Sequence, residues 1–170
     1  MSRMKIAYTM TEGKGDLDRL LADFADKLGA RGARTRGIVQ INTDCETTHR
    51  CDMDVQVLPD GPRIRISQFL GKESSGCRLN PEALEQAVFE TGKRMDQEFD
   101  VFILNKFGKQ ESDGRGFRDL VAQALSQGAH VITGINGMNR QNFEDFSGGL
   151  ATYVAPDPDS LMAWYDADED

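Results

Sequence analysis

Apolar positions along the chain switch between a strand period and a helical period, and the switches predict the elements. Residues 4–9 form a short strand-like run. Leu17, Leu20, Leu21, Phe24 and Leu28 then recur at helical spacing until Gly29 stops them. Gly32 breaks the chain before a second apolar run at 37–41, so the helix joins two strands in the manner of a βαβ crossover, which implies a parallel pair. Residues 42–50 are polar. Met53, Val55 and Val57 next alternate with Asp52, Asp54 and Gln56. Across the turn Pro59-Asp60-Gly61-Pro62, Ile64 and Ile66 alternate with Arg63, Arg65 and Ser67. That pattern predicts an antiparallel hairpin with one wet face.

A Gly/Ser-rich loop at 71–76 leads to Asn80-Pro81, a good cap and first helical residue, and Leu84, Ala87, Val88, Thr91 and Met95 mark the buried stripe that follows. Val101-Phe102-Ile103-Leu104 is apolar on successive residues, as a parallel strand buried on both faces requires. It is the predicted central strand. Phe117, Leu120, Val121, Ala124 and Leu125 predict a helix, residues 130–135 and 152–154 two further strands, and Leu161 to Trp164 a last short helix. His130 opens one of those strands with no acid or nucleophile beside it and reads as structural. Phe143 and Phe146, near Gly148-Gly149, read as core packing under a loop.

Composition narrows the classes. With 170 residues, 39% of them hydrophobic, the chain suits one domain with a substantial core. A formal charge of −8 opposes generic binding to nucleic acid or to an anionic membrane face, and no apolar run approaches the roughly 20 residues of a membrane span. The start, Met1-Ser2-Arg3-Met4, leads into a strand rather than a signal peptide, and three cysteines are an odd number that favours reduced thiols, so the expected location is the cytoplasm. Part of the acidic excess lies in an expected solvated tail at 166–170.

The loop after the first strand carries the candidate chemistry. A P-loop reads G-x-x-x-x-G-K-[ST]: its glycines let backbone N–H groups wrap phosphates, its lysine neutralises them and its hydroxyl holds magnesium. Here Gly13-Lys14 stand correctly between strand and helix, but Tyr8 replaces the first glycine and Gly15 the hydroxyl residue. The positive end of the helix starting near Asp16 still directs donors at the loop, which makes Thr11, Gly13, Lys14, Gly15 and Asp16 the expected phosphate or oxyanion contacts. Glu12 and Asp16 oppose an anion, and Asp16 also suits a helix N-cap. The other reading of the loop is a tight glycine turn with a solvated lysine.

Cys45, His49 and Cys51 lie close together, with Cys77 further on, but their spacing matches no paired C-x-x-C framework, and inert thiols are the expected reading. No metal site is assigned.

On Gly13-Lys14 before Leu17, Arg36-Gly37-Ile38-Val39-Gln40, Ile66-Ser67-Gln68, Gly76-Cys77-Arg78-Leu79-Asn80 and the run 104–111, the chain resembles the small thermophilic-type P-loop nucleoside-triphosphate phosphatases. It is similar, more closely, to a bacterial P-loop-like family of unknown function loosely associated with molybdenum transport. The resemblance covers most of the chain. It implies a three-layer α/β fold over 1–165, a mainly parallel sheet with helices on both faces and the hairpin as an antiparallel extension. In the phosphatases the central strand ends in an Asp that organises magnesium and a Glu that polarises water. Asn105 and Lys106 stand there in this chain, so the resemblance implies a weakened magnesium site; for a phosphatase, residues such as Glu111 or Asp113 would have to support metal or water in their place. Lys14, Lys106 and Lys109 are then expected to gather at the carboxyl ends of the parallel strands and, with Asn105, to hold an oxyanion without a metal, the alternative for Lys106 and Lys109 being exposed surface lysines. Cys51, Cys77 and Arg78 belong to the shared segments, so if one of the thiols is functional it belongs to this cysteine pair, with Arg78 able to add a fork for an anion.

The function expected from these residues is binding of a small anionic ligand, a nucleotide or an oxyanion, with weak or no hydrolysis. The alternatives are a nucleoside-triphosphate phosphatase and a molybdate-handling protein linked to metal uptake. A protein partner or a homodimer completes the expectation.

Overall fold

The computed structural model describes residues 5–12, 15–42, 53–68 and 78–167. Strand β1 (Lys5–Thr9) leads to helix α1 (Asp16–Ala30) and strand β2 (Thr35–Asn42). The hairpin β3 (Met53–Val57) and β4 (Arg63–Arg65) follows, then the short pair β5 (Ser67–Gln68) and β6 (Arg78–Leu79) and helix α2 (Pro81–Lys93). Strand β7 (Val101–Leu104), helices α3 (Lys109–Ser112) and α4 (Arg118–Ser126), and strand β8 (His130–Gly134) come next. A 3-10 turn (Gly137–Asn139), helix α5 (Arg140–Ser147), strand β9 (Thr152–Tyr153) and helix α6 (Pro158–Asp166) complete the order.

Among the described residues, seven strands form one sheet in the order β4-β3-β2-β7-β8-β1-β9. β2, β7, β8, β1 and β9 run parallel, whereas β3 and β4 extend the sheet antiparallel, as the alternating hairpin pattern requires. β7 lies in the middle with all four residues buried. Successive residues of a strand face opposite sides, and each side has its own core. Tyr8, Phe102, Leu104 and Val131 pack with Leu84 and Ala87 of α2, Val121 of α4 and Phe143 of α5. Ala7, Ile103 and Ile132 pack with Leu21, Phe24 and Leu28 of α1 and Leu161 and Trp164 of α6. These are the three expected layers.

Two features of the shared segment 36–40 are architectural. Gly37 has φ 106°, and a Cβ there would overlap the carbonyl oxygen of Ile103, so β2 and β7 approach as only glycine permits. Arg36 is 8% exposed, and its Nε donates to the Arg94 carbonyl beyond α2 at 2.6 Å. It closes a helix end instead of meeting a ligand.

Several expectations change. Asp16 is not the cap of α1: Gly15 holds that position in the left-handed region, and Asp16 is the first helical residue, ion-paired with Arg19. Asp166, assigned to the solvated tail, is the last residue of α6 and pairs with Arg31 at 2.7 Å. Phe143 and Phe146 pack on the core and against Phe107 of the loop after β7 as expected, but they do so from helix α5, which has only these two apolar anchors to announce it. Asn80 caps α2 as expected, accepting from the backbone N–H groups of Glu82 and Ala83.

Candidate functional site

Parallel pairing aligns Thr9 with Gly134 and Leu104 with Thr133, so β1, β7 and β8 deliver their following loops to one edge of the sheet. Backbone bonds tie these loops together: Ile135 N–H donates to Thr9 O at 3.1 Å and Phe107 N–H to Gly134 O at 2.9 Å. Open α/β sheets bind ligands at this carboxyl edge.

A cavity of about 800 Å³ opens beside β1. Met10, Thr11 and Glu12 line it from the β1–α1 loop, Asp16 and Leu20 from α1, and Arg140 from the start of α5. Tyr153 and Pro156 close it from β9 and the turn beyond. Thr11 and Asp16 therefore line one cavity, and Gly15 adjoins them at the helix cap. Gly13 and Lys14 lie outside the described residues, as do Cys45, His49, Cys51 and Cys77. Arg78 is described through its backbone, which pairs with Gln68 in the β5–β6 ladder.

Tyr8, which stands where the P-loop pattern would have its first glycine, is 4% exposed and lies beneath this wall. Its hydroxyl accepts from Arg140 Nη2 at 3.2 Å, and the Arg140 guanidinium lies 5.8 Å from its ring centroid. Its ring also meets Tyr153 at 5.5 Å and Phe143 at 5.7 Å between centroids. Glu144 accepts from Arg140 Nε at 3.4 Å, which fixes the other side of the guanidinium. Sequence reading missed Arg140 and Tyr153 because neither sits in a motif. The aromatic residue in place of a glycine was the available signal.

Asn105 follows β7 and is 2% exposed. Its Nδ2 donates to Asp18 Oδ1 at 2.8 Å and to Gln40 Oε1 at 3.4 Å, while its Oδ1 accepts from the Gln40 backbone N–H at 3.0 Å. The amide is held on all sides by α1 and β2. Lys106 and Lys109 are exposed, and neither is among the described residues that line the large cavity.

Glu111 and Asp113 stand apart from that cavity. Glu111 is 3% exposed, its two oxygens accept from the N–H groups of Gly108 at 2.9 Å and Phe117 at 3.0 Å, and it borders a separate cavity of about 250 Å³ with Phe107, Arg118 and Asp145. Burial pushes its carboxyl above the usual carboxylate range, and the N–H bonds from Phe117 and Gly108 pull against that. Its place is that of an anchor joining the β7–α3 loop to the start of α4. Asp113 is exposed at the end of α3 and pairs with Arg115 at 3.4 Å. No helix among the described residues is long and apolar enough to cross a membrane.

Comparison with known proteins fits this architecture. Among solved structures, a human cancer-related nucleoside triphosphatase superposes with a TM-score of 0.62 at 18% identity, covering 88% of this chain and 87% of that one. THEP1 from the hyperthermophile Aquifex aeolicus superposes with a TM-score of 0.56 at 21% identity, covering 96% and 95%. These likenesses establish the fold, a mainly parallel α/β sheet with helices on both faces. In sequence, the chain is 34% identical over 161 residues to the molybdenum import ATP-binding protein ModC 2 of Bradyrhizobium diazoefficiens. That match takes in 95% of this chain and 18% of the relative, so the chain spans less than a fifth of the protein it resembles. Residues 6–164 match a family model, and the chain accordingly belongs to the family described as "Protein of unknown function (DUF2478)".

Proposed function

We propose that this chain binds a nucleotide or a phosphate-like oxyanion at the β1–α1 loop and hydrolyses it weakly or not at all. The carrying observation is the Asn105 side chain, whose amide is taken up by Asp18 and Gln40. A hard divalent ion is best served by carboxylate oxygens, and an Asn amide supplies no negative charge at this strand tip. The residues at this position therefore do not fit a P-loop magnesium site. What remains is the cavity beside the loop, the positive end of helix α1 and the Arg140 guanidinium, the last two of which favour the phosphate part of a ligand. Thr11, Gly13, Lys14, Gly15 and Asp16 are the proposed loop contacts, with Lys106 and Lys109 flanking them.

A thermal-shift panel of ATP, GTP, phosphate and molybdate, each with magnesium and with EDTA, tests the reading. A ligand at one hundred times its dissociation constant should add about 2.7 kcal/mol to stability. The expected result is a shift by at least one nucleotide or oxyanion that survives EDTA, with phosphate release at the level of a buffer blank. Binding that requires magnesium, together with robust phosphate release, would identify a nucleoside-triphosphate phosphatase instead.

The similarity to ModC 2 favours a second reading, in which the ligand is molybdate or a related oxyanion and the chain serves metal uptake. Equilibrium dialysis with molybdate, tungstate and sulfate decides it, and equal failure of all three removes it.

A further inference from the structure

The described wall of the large cavity is poorly suited to a bare oxyanion. It contributes two carboxylates, Glu12 and Asp16, against one guanidinium, Arg140, and the Asp16 carboxylate is already paired with Arg19. It is better suited to a ligand with a flat apolar part. Tyr153 is 50% exposed although its ring rests on the buried Tyr8, and Pro156, Leu20 and Met10 line the same space. An aromatic face left half open against an apolar wall stacks with a heteroaromatic ring, and such stacking is indifferent to which ring it is.

We propose that this cavity is a nucleoside subsite: Tyr153 stacks on the base, with Pro156, Leu20 and Met10 lining its surroundings, and Arg140 contacts the phosphates. The proposal rests on the nucleotide-binding reading above and selects the nucleotide over the bare oxyanion. Tyr8 is a positioning residue in this arrangement. It touches no ligand, but its hydroxyl holds Arg140 and its ring supports Tyr153. The replacement of a P-loop glycine by tyrosine, which reads as a loss in the sequence, thereby becomes the support of the base-binding wall. Two of the five N–H groups of Arg140 are engaged by Tyr8 and Glu144, which leaves others for a phosphate oxygen.

The test compares ATP and GTP with inorganic tripolyphosphate, which carries the phosphate charge without a ring, by calorimetric titration of the full chain. Expected for the wild type is tighter binding of both nucleotides than of tripolyphosphate. Tyr153→Ala, at a half-exposed position, should weaken ATP and GTP about tenfold and leave tripolyphosphate unchanged. Arg140→Gln should weaken all three. Tyr8→Phe removes only the hydroxyl and should act like a milder Arg140→Gln, lowering affinity for all three ligands without selecting against the nucleotides. Ligand-free thermal melts confirm that each variant is folded. Tripolyphosphate binding as tightly as ATP to the wild type, or nucleotide affinity unmoved by Tyr153→Ala, overturns the subsite and leaves the broader function standing. A wild type that binds neither nucleotides, tripolyphosphate, phosphate nor molybdate overturns both.

Discussion

The Asn105 side-chain amide donates to the Asp18 carboxylate at 2.8 Å, so a carboxylate absent from the tip of β7 is present one layer away, on the first turn of α1. Asp at position 105 would set two carboxylates against each other in a site that is 2% exposed for the residue now there. Like charges at that separation do not both ionise without cost.

Asn105→Asp should therefore destabilise the fold by about 3 kcal/mol at neutral pH, in the range for an uncompensated buried charge. Urea unfolding measures it. The loss should shrink as the pH falls, because protonating one carboxyl restores a donor between the pair. The double variant with Asp18→Asn should recover most of the stability, and a purely additive cycle would refute the coupling.

Glu111 gives a pH dependence of opposite sense to that of most carboxylates. Burial raises its folded-state pKa above the unfolded value, so the folded chain holds the extra proton. Its contribution to stability is complete below the unfolded carboxyl value and declines as the pH rises through the folded one. Stability relative to Glu111→Gln should fall as the pH rises from the ordinary carboxylate range through the raised folded-state value. A difference that grows with pH would contradict the burial argument.

Glu111→Ala is the larger lesion. It strips the partner from two N–H groups, those of Gly108 and Phe117, the second of them buried. Leaving such donors unmet costs about 2–4 kcal/mol in total. Nucleotide affinity should survive in the fraction that remains folded, since Glu111 lies outside the large cavity, and calorimetric titration checks this.

Gly37→Ala should be among the most damaging single-atom additions, at about 3 kcal/mol or more, because the new Cβ meets the Ile103 carbonyl and the φ of 106° is hostile to alanine. Loss of soluble protein, or a large drop in melting temperature, is the expected readout.

Thr9 offers the reverse case. Its hydroxyl is fully buried at the end of β1 with no hydrogen-bond partner among the described residues. Thr9→Val should be neutral or stabilising by about 1 kcal/mol in a thermal melt.

Much of the fold was legible in the sequence because both of its periods are strong. The fourfold apolar run at β7 announced the centre of the sheet, and the alternation around Val55 and Ile64 announced the antiparallel edge. Helix α5 was not legible. Eight residues with two apolar anchors carry little periodicity, and the helix is held by Phe143 packing on Phe107 and Tyr8 rather than by propensity. For the site, the loss of carboxylate at Asn105 was visible, but its pairing with Asp18 was not, since they are 87 residues apart. The expected catalytic role of Glu111 followed from residue type alone. Only the fold reveals that its oxygens are turned onto backbone amides. Arg140 and Tyr153 escaped for the same reason: they meet on Tyr8, and that meeting exists only once β1 has paired with β9 and α5 has packed beside it.

Gly15 adopts φ 80° at the cap of α1, a conformation in which a serine or threonine side chain is strained by roughly 1–2 kcal/mol. Reinstating the hydroxyl of an active P-loop by one substitution would thus distort the main chain before it recovered a magnesium ligand. A hydroxyl side chain at this position therefore calls for a reshaped loop and not for one substitution alone.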